Sequence, residues 1–312
     1  MSAFKVCINA VLPIFLIMAL GYAARCCGAV KRESVPGLNK LMFRWFMPIM
    51  LFNSIYKSDV SSVLQPKLLL FAAGTVLAVY FLSLGYVLLT EKEKERQSVM
   101  VQGLYRSNFV IIGLPLASSL VEGADLGPVV LLISVVVPMF NVLAVITLEA
   151  MNGRRPGIGR LLLDIVKNPL IVGTAVGLVF LFTGIKLPSF LESTASQIAA
   201  AANPMLLFLL GAFFKFDGLR RYAKELVQVC LGRLVVIPGL ALTAAMLIGV
   251  RGVEFAGMIA IFGSATAIAS FTMAQQMGGD AELAGDIVVA TSALCCFTMF
   301  GWAMLFKSLG VF

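Results

Sequence analysis

Stretches of about twenty mostly apolar residues, almost free of charge, recur along this chain of 312 residues. A helix of that length spans the roughly 30 Å of hydrocarbon in a bilayer. The stretches cover residues 6–24, 38–56, 68–90, 98–121, 126–148, 168–185, 193–214, 226–249, 255–277 and 287–306. The pattern predicts an all-α polytopic membrane protein with ten transmembrane helices.

The composition excludes a soluble domain, because 60% of the residues are hydrophobic and only 13% are charged. We therefore expect membrane lipid to cover most of the surface. The net charge of +8 is typical of loops that face anionic lipid and does not indicate nucleic acid as a partner. The chain has no histidine, which excludes His-ligated metals and His-based triads, and we expect no metal and no cofactor.

Lys and Arg are distributed unevenly between the loops on the two sides of the membrane. If the N-terminus is outside, the inner loops carry more than twice as many Lys and Arg as the outer segments. Basic loops tend to stay on the cytoplasmic side. The distribution predicts a multi-pass protein of the cell (inner or plasma) membrane with both termini outside.

Prolines and glycines recur at a separation of half the chain length, or one residue more. The matched pairs are Pro13 and Pro169, Gly21 and Gly177, Gly28 and Gly184, Pro48 and Pro204, and Ala117 and Ala274. Each half holds five apolar stretches, so the second half enters the membrane in the opposite orientation. We expect two inverted five-helix repeats, at residues 1–150 and 168–312, joined by a short cytoplasmic connector at 151–167.

Two of the stretches, the fourth and the ninth, contain signals of a broken helix. In the fourth, Gly113 and Pro115 interrupt the helix near Asn108, since proline lacks an N–H group and glycine lets the backbone bend. In the ninth, small and polar residues at 263–270 include Ser264 and Thr266. If the breaks cross, half-helix N-termini point at one spot and favour an anion, for which a carboxylate is the expected group.

Several segments resemble motifs of the auxin efflux carrier family. The segment from Arg106 to Leu116 resembles the family's fourth helix, and the segment from Gln275 to Ala284 and on to Ser292 resembles its ninth and tenth. Residues 48–53 and 168–173 are also similar to family patterns. The resemblance covers nearly the whole chain. Because the halves lie close together in sequence, the chain is more similar to the compact bacterial malonate or malate permeases than to many PIN-type plant members.

This resemblance implies ten helices in inverted repeats, a crossover of the fourth and ninth helices, and transport of organic anions. It also implies a relation in fold to the bile acid/sodium symporters. The family commonly has a proline in the ninth-helix break, where this chain has Ala265 or a neighbour. The resemblance further implies a polar substrate contact near Asn141.

Polar residues in the apolar stretches are the candidates for substrate binding. An amide or hydroxyl in hydrocarbon requires a partner or a substrate. The candidates are Asn108, Gly113, Pro115, Asn141, Asn53, Ser264, Thr266, Gln275 and Arg106. For Arg106 two interpretations stay open, an anion partner or a side chain that extends to the interface. For Arg233 we expect extension to the interface or to lipid phosphate.

The sequence favours a secondary transporter that moves a small organic anion, for example a dicarboxylate, by alternating access. The alternative is a sodium-coupled symporter of the bile-acid type. We expect no Asp or Glu deep in any of the ten stretches, which argues against that alternative. No His and no DxxD-type cluster is present, so we expect no enzyme. The fold also accommodates a homodimer through the first, second and seventh helices.

Overall fold

The computed structural model describes residues 3–57, 66–121, 123–151 and 158–311, and the regular elements within these ranges are all helices. In the first half these are α1 (Ala3–Cys26), α2 (Val35–Leu41), α3 (Met47–Tyr56), α4 (Pro66–Thr90), α5 (Lys94–Tyr105), α6 (Leu114–Leu120) and α7 (Gly127–Met151). A short 3-10 helix at Arg32–Ser34 precedes α2. The predicted all-α class is confirmed.

The described residues of the second half form nine further α-helices, beginning with one in the connector. They are α8 (Ile158–Lys167), α9 (Pro169–Thr183), α10 (Ser189–Phe213), α11 (Phe216–Arg221), α12 (Ala223–Leu231), α13 (Ile237–Leu247), α14 (Gly252–Gly263), α15 (Ala269–Met277) and α16 (Ala281–Ser308). Helix α8 occupies the C-terminal part of the predicted connector. Residues 152–157 of that connector lie outside the described residues.

Among the described residues, six helical segments are long and apolar enough to cross a membrane. They are Ile8–Cys26, Pro66–Thr90, Gly127–Met151, Ser189–Phe213, Ala223–Leu247 and Ala281–Ser308. Three more apolar helices are shorter, at Phe109–Leu120, Pro169–Thr183 and Gly252–Gly263. The chain is therefore a polytopic membrane protein, and the count of ten crossings stays a prediction.

The part of the chain that the structure describes has three π-helical turns of five residues, each immediately before a Leu-Pro, Met-Pro or Ile-Pro pair. The turns are Met42–Phe46 before Pro48, Phe109–Gly113 before Pro115, and Gly232–Val236 before Pro238. A proline ring collides with the carbonyl four residues earlier in an α-helix. In each case that carbonyl lies within the π-helical turn, and the wider turn accommodates the ring without breaking the helix.

This arrangement corrects the predicted break at Gly113 and Pro115. The chain stays helical through both residues, and the interruption lies earlier, at Arg106–Asn108. Pro115 follows a π-helical turn that accommodates its ring, so the helix continues through it. The break at Arg106–Asn108 itself contains no proline. In the ninth stretch, by contrast, the predicted interruption is confirmed, between the end of α14 at Gly263 and the start of α15 at Ala269.

The helices form two groups. Helices α1, α3, α9 and α10 pack mainly against one another, and α4–α7 pack with α12–α16. Within the first group, α1 and α10 approach so closely that a side-chain carbon on Gly211 would collide with the Met18 carbonyl oxygen, and one on Gly21 with the Phe208 carbonyl oxygen. Small residues at such crossings allow backbone contact inside a membrane.

The α1–α10 contact predicts a specific sensitivity to the smallest possible side chain. Gly211→Ala forces the two backbones apart, and we expect it to lower the free energy of unfolding by about 1–3 kcal/mol. Thermal unfolding in detergent measures the loss. The control is Gly301→Ala in α16, where a side-chain carbon meets no atom within 4 Å; equal stability of the two variants would contradict the proposed crossing.

Candidate functional site

The two interrupted helices meet at their breaks. Ser107 and Thr266 pair as an isolated antiparallel bridge. The backbone N–H of Asn108 donates to the Ala265 carbonyl at 2.8 Å, and the backbone N–H of Ala267 donates to the Arg106 carbonyl at 3.4 Å. Backbone groups released by each break therefore find partners in the other, which is the condition for irregular backbone at membrane depth.

Side chains at the crossing reinforce the backbone pairing. The hydroxyls of Ser107 and Ser264 lie 2.6 Å apart, within hydrogen-bonding distance. The Thr266 hydroxyl donates to the Gly103 carbonyl at 2.8 Å, and its backbone N–H donates to the Thr291 hydroxyl at 3.2 Å. Ser264 and Thr266, both predicted to bind substrate, are fully buried in this network, so the structure places them in the scaffold of the crossing.

Arg233 holds the C-terminal ends of both half-helices. Its side chain is 0% exposed. Nη2 donates to the Ile261 carbonyl at 2.8 Å and Nε to the Ser264 carbonyl at 2.9 Å. Nη1 donates to the carbonyls of Leu104 and Tyr105 at 3.2 and 3.4 Å. A cation is favourable at helix C-termini, where carbonyls lack intrahelical partners.

The expectation that Arg233 extends to the interface or to lipid phosphate is therefore wrong. A single arginine in an apolar stretch has the same sequence signature whether it faces lipid or the core. The deciding fact is the convergence of two carbonyl-rich helix ends on one position, which depends on the tertiary structure.

A cavity of about 420 Å³ lies against the crossing, between the two groups of helices. Its walls come from α3, α7 and α10, from the break in the fourth stretch, and from the start of α15. The polar lining residues are Asn53, Ser54, Lys57, Arg106, Ser107, Asn108, Asn141, Ser196 and Asn203. Among the described residues that line it, none is acidic. Two cations and several amides give the cavity a chemistry suited to an anion.

Arg106 is the buried cation of the cavity wall. Its side chain is 3% exposed, so the interpretation as an interface-reaching side chain is excluded by the structure. Nη2 donates to Asn141 Oδ1 at 2.6 Å, and Nη1 reaches Gln102 Oε1 at 3.3 Å and Met273 Sδ at 2.7 Å. These partners are neutral, and within the described part of the chain Arg106 has no acidic partner. Its positive charge is uncompensated.

Asn108 lines the same cavity and has a side-chain donor that is not used. Its side chain is 6% exposed, and its Nδ2 has no hydrogen-bond partner among the described residues. A buried donor without a partner costs about 1–3 kcal/mol. After its break, the fourth stretch becomes helical again at Phe109, and the ninth stretch at Ala269. Both residues line the cavity. The N-terminal ends of two half-helices thus border the space that Asn108 faces.

The mouth of the cavity is formed by polar side chains from α3 and α10. Lys57 Nζ donates to the Ser196 hydroxyl at 2.8 Å, and this hydroxyl lies 3.3 Å from Asn53 Oδ1. Lys57 is exposed and Asn53 is partly exposed. Sequence reasoning missed Lys57, Ser196 and Asn203. Lys57 follows an apolar stretch, where the sequence alone indicates a loop residue, and Ser196 and Asn203 lie in α10, whose packing on α3 depends on the tertiary structure.

Four of the predicted site residues thus come together and five do not. Asn53, Asn108, Asn141 and Arg106 line the cavity. Ser264 and Thr266 are buried in the crossing, and Pro115 is exposed on α6. Gly113 serves packing, because a side-chain carbon there would lie 2.5 Å from the Ala260 carbonyl oxygen. Gln275 accepts a hydrogen bond from Asn39 Nδ2 at 2.6 Å, away from the cavity lining.

Comparison with known proteins identifies relatives over most of the chain. A family described as "Membrane transport protein" matches residues 6–158 and 157–303. An uncharacterised transporter of Methanocaldococcus jannaschii is 23% identical over 95% of this chain and 98% of its own length. An uncharacterised transporter of Methanothermobacter thermautotrophicus is 20% identical over 95% of this chain and 97% of its own length.

The four hydrogen bonds of Arg233 predict a large structural role. Arg233→Met leaves buried carbonyls without donors, and we expect the free energy of unfolding to fall by about 2 kcal/mol or more. Arg233→Lys keeps the charge but offers fewer donors, so its free energy of unfolding should lie between those of Arg233→Met and the wild type. Arg44→Met is the matched control, since Arg44 also lies in a π-helical turn but is exposed. Equal thermal stability of the two Met variants would refute this role.

Proposed function

Since this chain belongs to the membrane transport protein family, the family of the auxin efflux carriers that its motifs resemble, we propose that it is a secondary transporter of a small organic anion. The substrate class we favour is a carboxylate, for example a dicarboxylate. Both relatives are named as transporters. Neither name is that of an enzyme.

The observation that carries the proposal is the uncompensated charge of Arg106 in the cavity. A buried guanidinium without an acidic partner favours a ligand that brings negative charge. A carboxylate also accepts hydrogen bonds in the geometry that a guanidinium offers. The unpartnered Nδ2 of Asn108 and the two helix N-termini add donors beside it. Lys57 at the mouth supplies a second positive charge, which suits a substrate with two carboxylates.

Alternating access is supported by a difference between the two ends of the protein, one with an open cavity mouth and one with hydrogen-bonded helices. At the end of α3 and the start of α10, the cavity has its polar mouth around Lys57 and Ser196. At the opposite end, α2 and α15 are joined by hydrogen bonds from Asn39 Nδ2 to Gln275 and from the Thr272 hydroxyl to Asn39 Oδ1. We propose that this structure represents one of two states, open at the Lys57 end.

Equivalent contacts in the two halves support the proposal of inverted five-helix repeats at 1–150 and 168–312. Gly21 packs on Phe208, and Gly177 packs beside Phe52. Gly21 and Gly177 are half the chain length apart, and so are Phe52 and Phe208. At the crossing, Ser107 and Ser264 are separated by 157 residues and face each other. Such symmetry offers two states of similar energy. Ten crossings, a cell-membrane location and both termini outside complete the proposal.

Transport in proteoliposomes tests the function. We expect uptake of labelled C3–C4 dicarboxylates, and Arg106→Gln should raise KM by roughly 10- to 100-fold, since a hydrogen bond to a charged group contributes about 1.5–3 kcal/mol. Asn108→Ala should raise KM to a smaller degree. Arg44→Gln and Gln228→Ala, outside the cavity, should leave KM unchanged. Unaltered kinetics in Arg106→Gln would rule out the site, and uptake that requires a sodium gradient would favour a sodium-coupled symporter.

The contact between α2 and α15 predicts a change in the balance of states. Asn39→Ala removes the side chain that binds both Gln275 and Thr272, and we expect a smaller population open at the Lys57 end. With the six native cysteines replaced by serine, a cysteine at Asn53 should react more slowly with an impermeant thiol reagent from that end. Gln197→Ala, on an exposed face of α10, is the control. An unchanged labelling rate in Asn39→Ala would contradict a closing role.

A further inference from the structure

A buried carboxylate lies in the last membrane helix, outside the cavity. Asp286 is in the second turn of α16, and its side chain is 1% exposed. Asp286 lies one residue before the tenth predicted stretch, so the expectation that no Asp or Glu lies deep in a stretch stays a prediction. The tenth predicted stretch began at residue 287, but α16 starts at Ala281 because Asp280 caps it by accepting hydrogen bonds from the N–H groups of Glu282 and Leu283.

Three other carboxylates near this end of α16 have described cationic partners. Glu282 lies 3.5 Å from Arg32, and 3.7 Å from both Lys215 and Arg221. Asp280 accepts a hydrogen bond from the Tyr222 hydroxyl at 2.9 Å and lies 3.8 Å from Arg96. The same Arg96 lies 3.3 Å from Glu225.

Asp286 differs from these three groups. Its Oδ2 is buried and has no hydrogen-bond partner among the described residues, and the ion pairs described for the chain do not include it. An ionised carboxylate without a partner is very costly in a low-dielectric interior, whereas the neutral acid is tolerated far better. In this conformation the unpaired side chain is compatible with the protonated form.

The position of Asp286 connects it to the segment that joins the two groups of helices. A side-chain carbon on Gly218 would collide with Asp286 Oδ2, so the carboxyl group packs directly on α11. Helix α11 follows α10 of the first group and precedes α12 of the second. A movement of one group relative to the other therefore changes the surroundings of Asp286.

The charged groups on the elements that pack near this turn of α16 are of both signs. They are Arg25 of α1, Lys94, Glu95 and Arg96 of α5, Lys215 before α11, Asp217, Arg220 and Arg221 of α11, Lys224 and Glu225 of α12, Arg233 in the π-helical turn, and Asp280 and Glu282 at the start of α16 itself. Helix α15 has no charged residue. Glu254 of α14 lies towards the other end of α16, where the Gly252 N–H donates to the Val311 carbonyl.

We propose that Asp286 is a proton-binding site of the transport cycle. The inference rests on the proposed function. In the state described, Asp286 holds a proton. When the α2–α15 end opens and α11 shifts, water reaches the carboxyl group, its O–H bond breaks, the proton passes to that water, and a solvated carboxylate remains. Return to the first state requires the carboxylate to take a proton back from the solution at this end.

Transport at different pH values on the α11 side tests the proposal. In proteoliposomes, the wild-type rate of dicarboxylate uptake should depend on the pH of the solution at this end. Asp286→Asn keeps the size of the side chain and fixes it in a neutral form, so the ratio of rates at acidic and alkaline pH should fall to unity. Asp217→Asn removes an exposed carboxylate one residue before Gly218 and should keep the wild-type ratio. A wild-type pH profile in Asp286→Asn overturns the proposal.

Infrared spectroscopy tests the proton itself without any transport assay. Purified wild-type protein at neutral pH should show the C=O band of a protonated aspartic acid, identified by its shift on isotopic labelling of aspartate. The labelled wild type suffices for this measurement even if Asp286→Asn fails to fold. Absence of the band contradicts proton binding at Asp286, whereas presence of the band in a protein that moves no carboxylate contradicts only the proposed function.

Discussion

The structure depends on one requirement, that every backbone N–H and C=O group in the hydrocarbon region has a hydrogen-bond partner. Two interrupted helices violate this requirement individually and satisfy it together. The bridge between Ser107 and Thr266 pairs the extended segments, and Arg233 supplies donors to the carbonyls at both helix ends. Leu104 and Ile261, two of its acceptors, occupy equivalent positions in the proposed repeats. One guanidinium thus stabilises both breaks at once.

The two buried arginines use the same chemistry for different purposes. Arg233 directs its donors to backbone carbonyls, and the surrounding dipoles balance its charge. Arg106 directs its donors to neutral side chains, among them Asn141, in the wall of a cavity. The difference arises from where each residue stands relative to the crossing. Arg233 approaches from the eighth stretch, behind the helix ends, whereas Arg106 belongs to the break and faces the space between the two groups of helices.

Much of the architecture is predictable from the sequence, because a bilayer allows few solutions for apolar stretches. The ninth-stretch break follows from its small and polar residues, and the amides Asn53, Asn108 and Asn141 are recognisable as isolated polar groups in apolar surroundings. The fourth-stretch break was predicted at Pro115 and lies at Arg106–Asn108, because a π-helical turn accommodates the proline. The roles of Arg233 and Asp286 could not be derived from the sequence, since their surroundings come from residues far away in sequence. Lys57 and Ser196 meet only through the packing of α3 on α10.

The π-helical turn at Met42–Phe46 has a consequence for the direction of the side chains that follow it. A residue advances an α-helix by about 100° around its axis, and a π-helical turn holds one residue more than an α-helical turn. The helical phase of α3 is therefore rotated relative to α2. Arg44 and Trp45 are exposed on the turn itself, whereas Asn53 reaches the cavity. Pro48 thereby affects the cavity without lining it, because the turn that accommodates its ring determines in which direction around the helix axis Asn53 points.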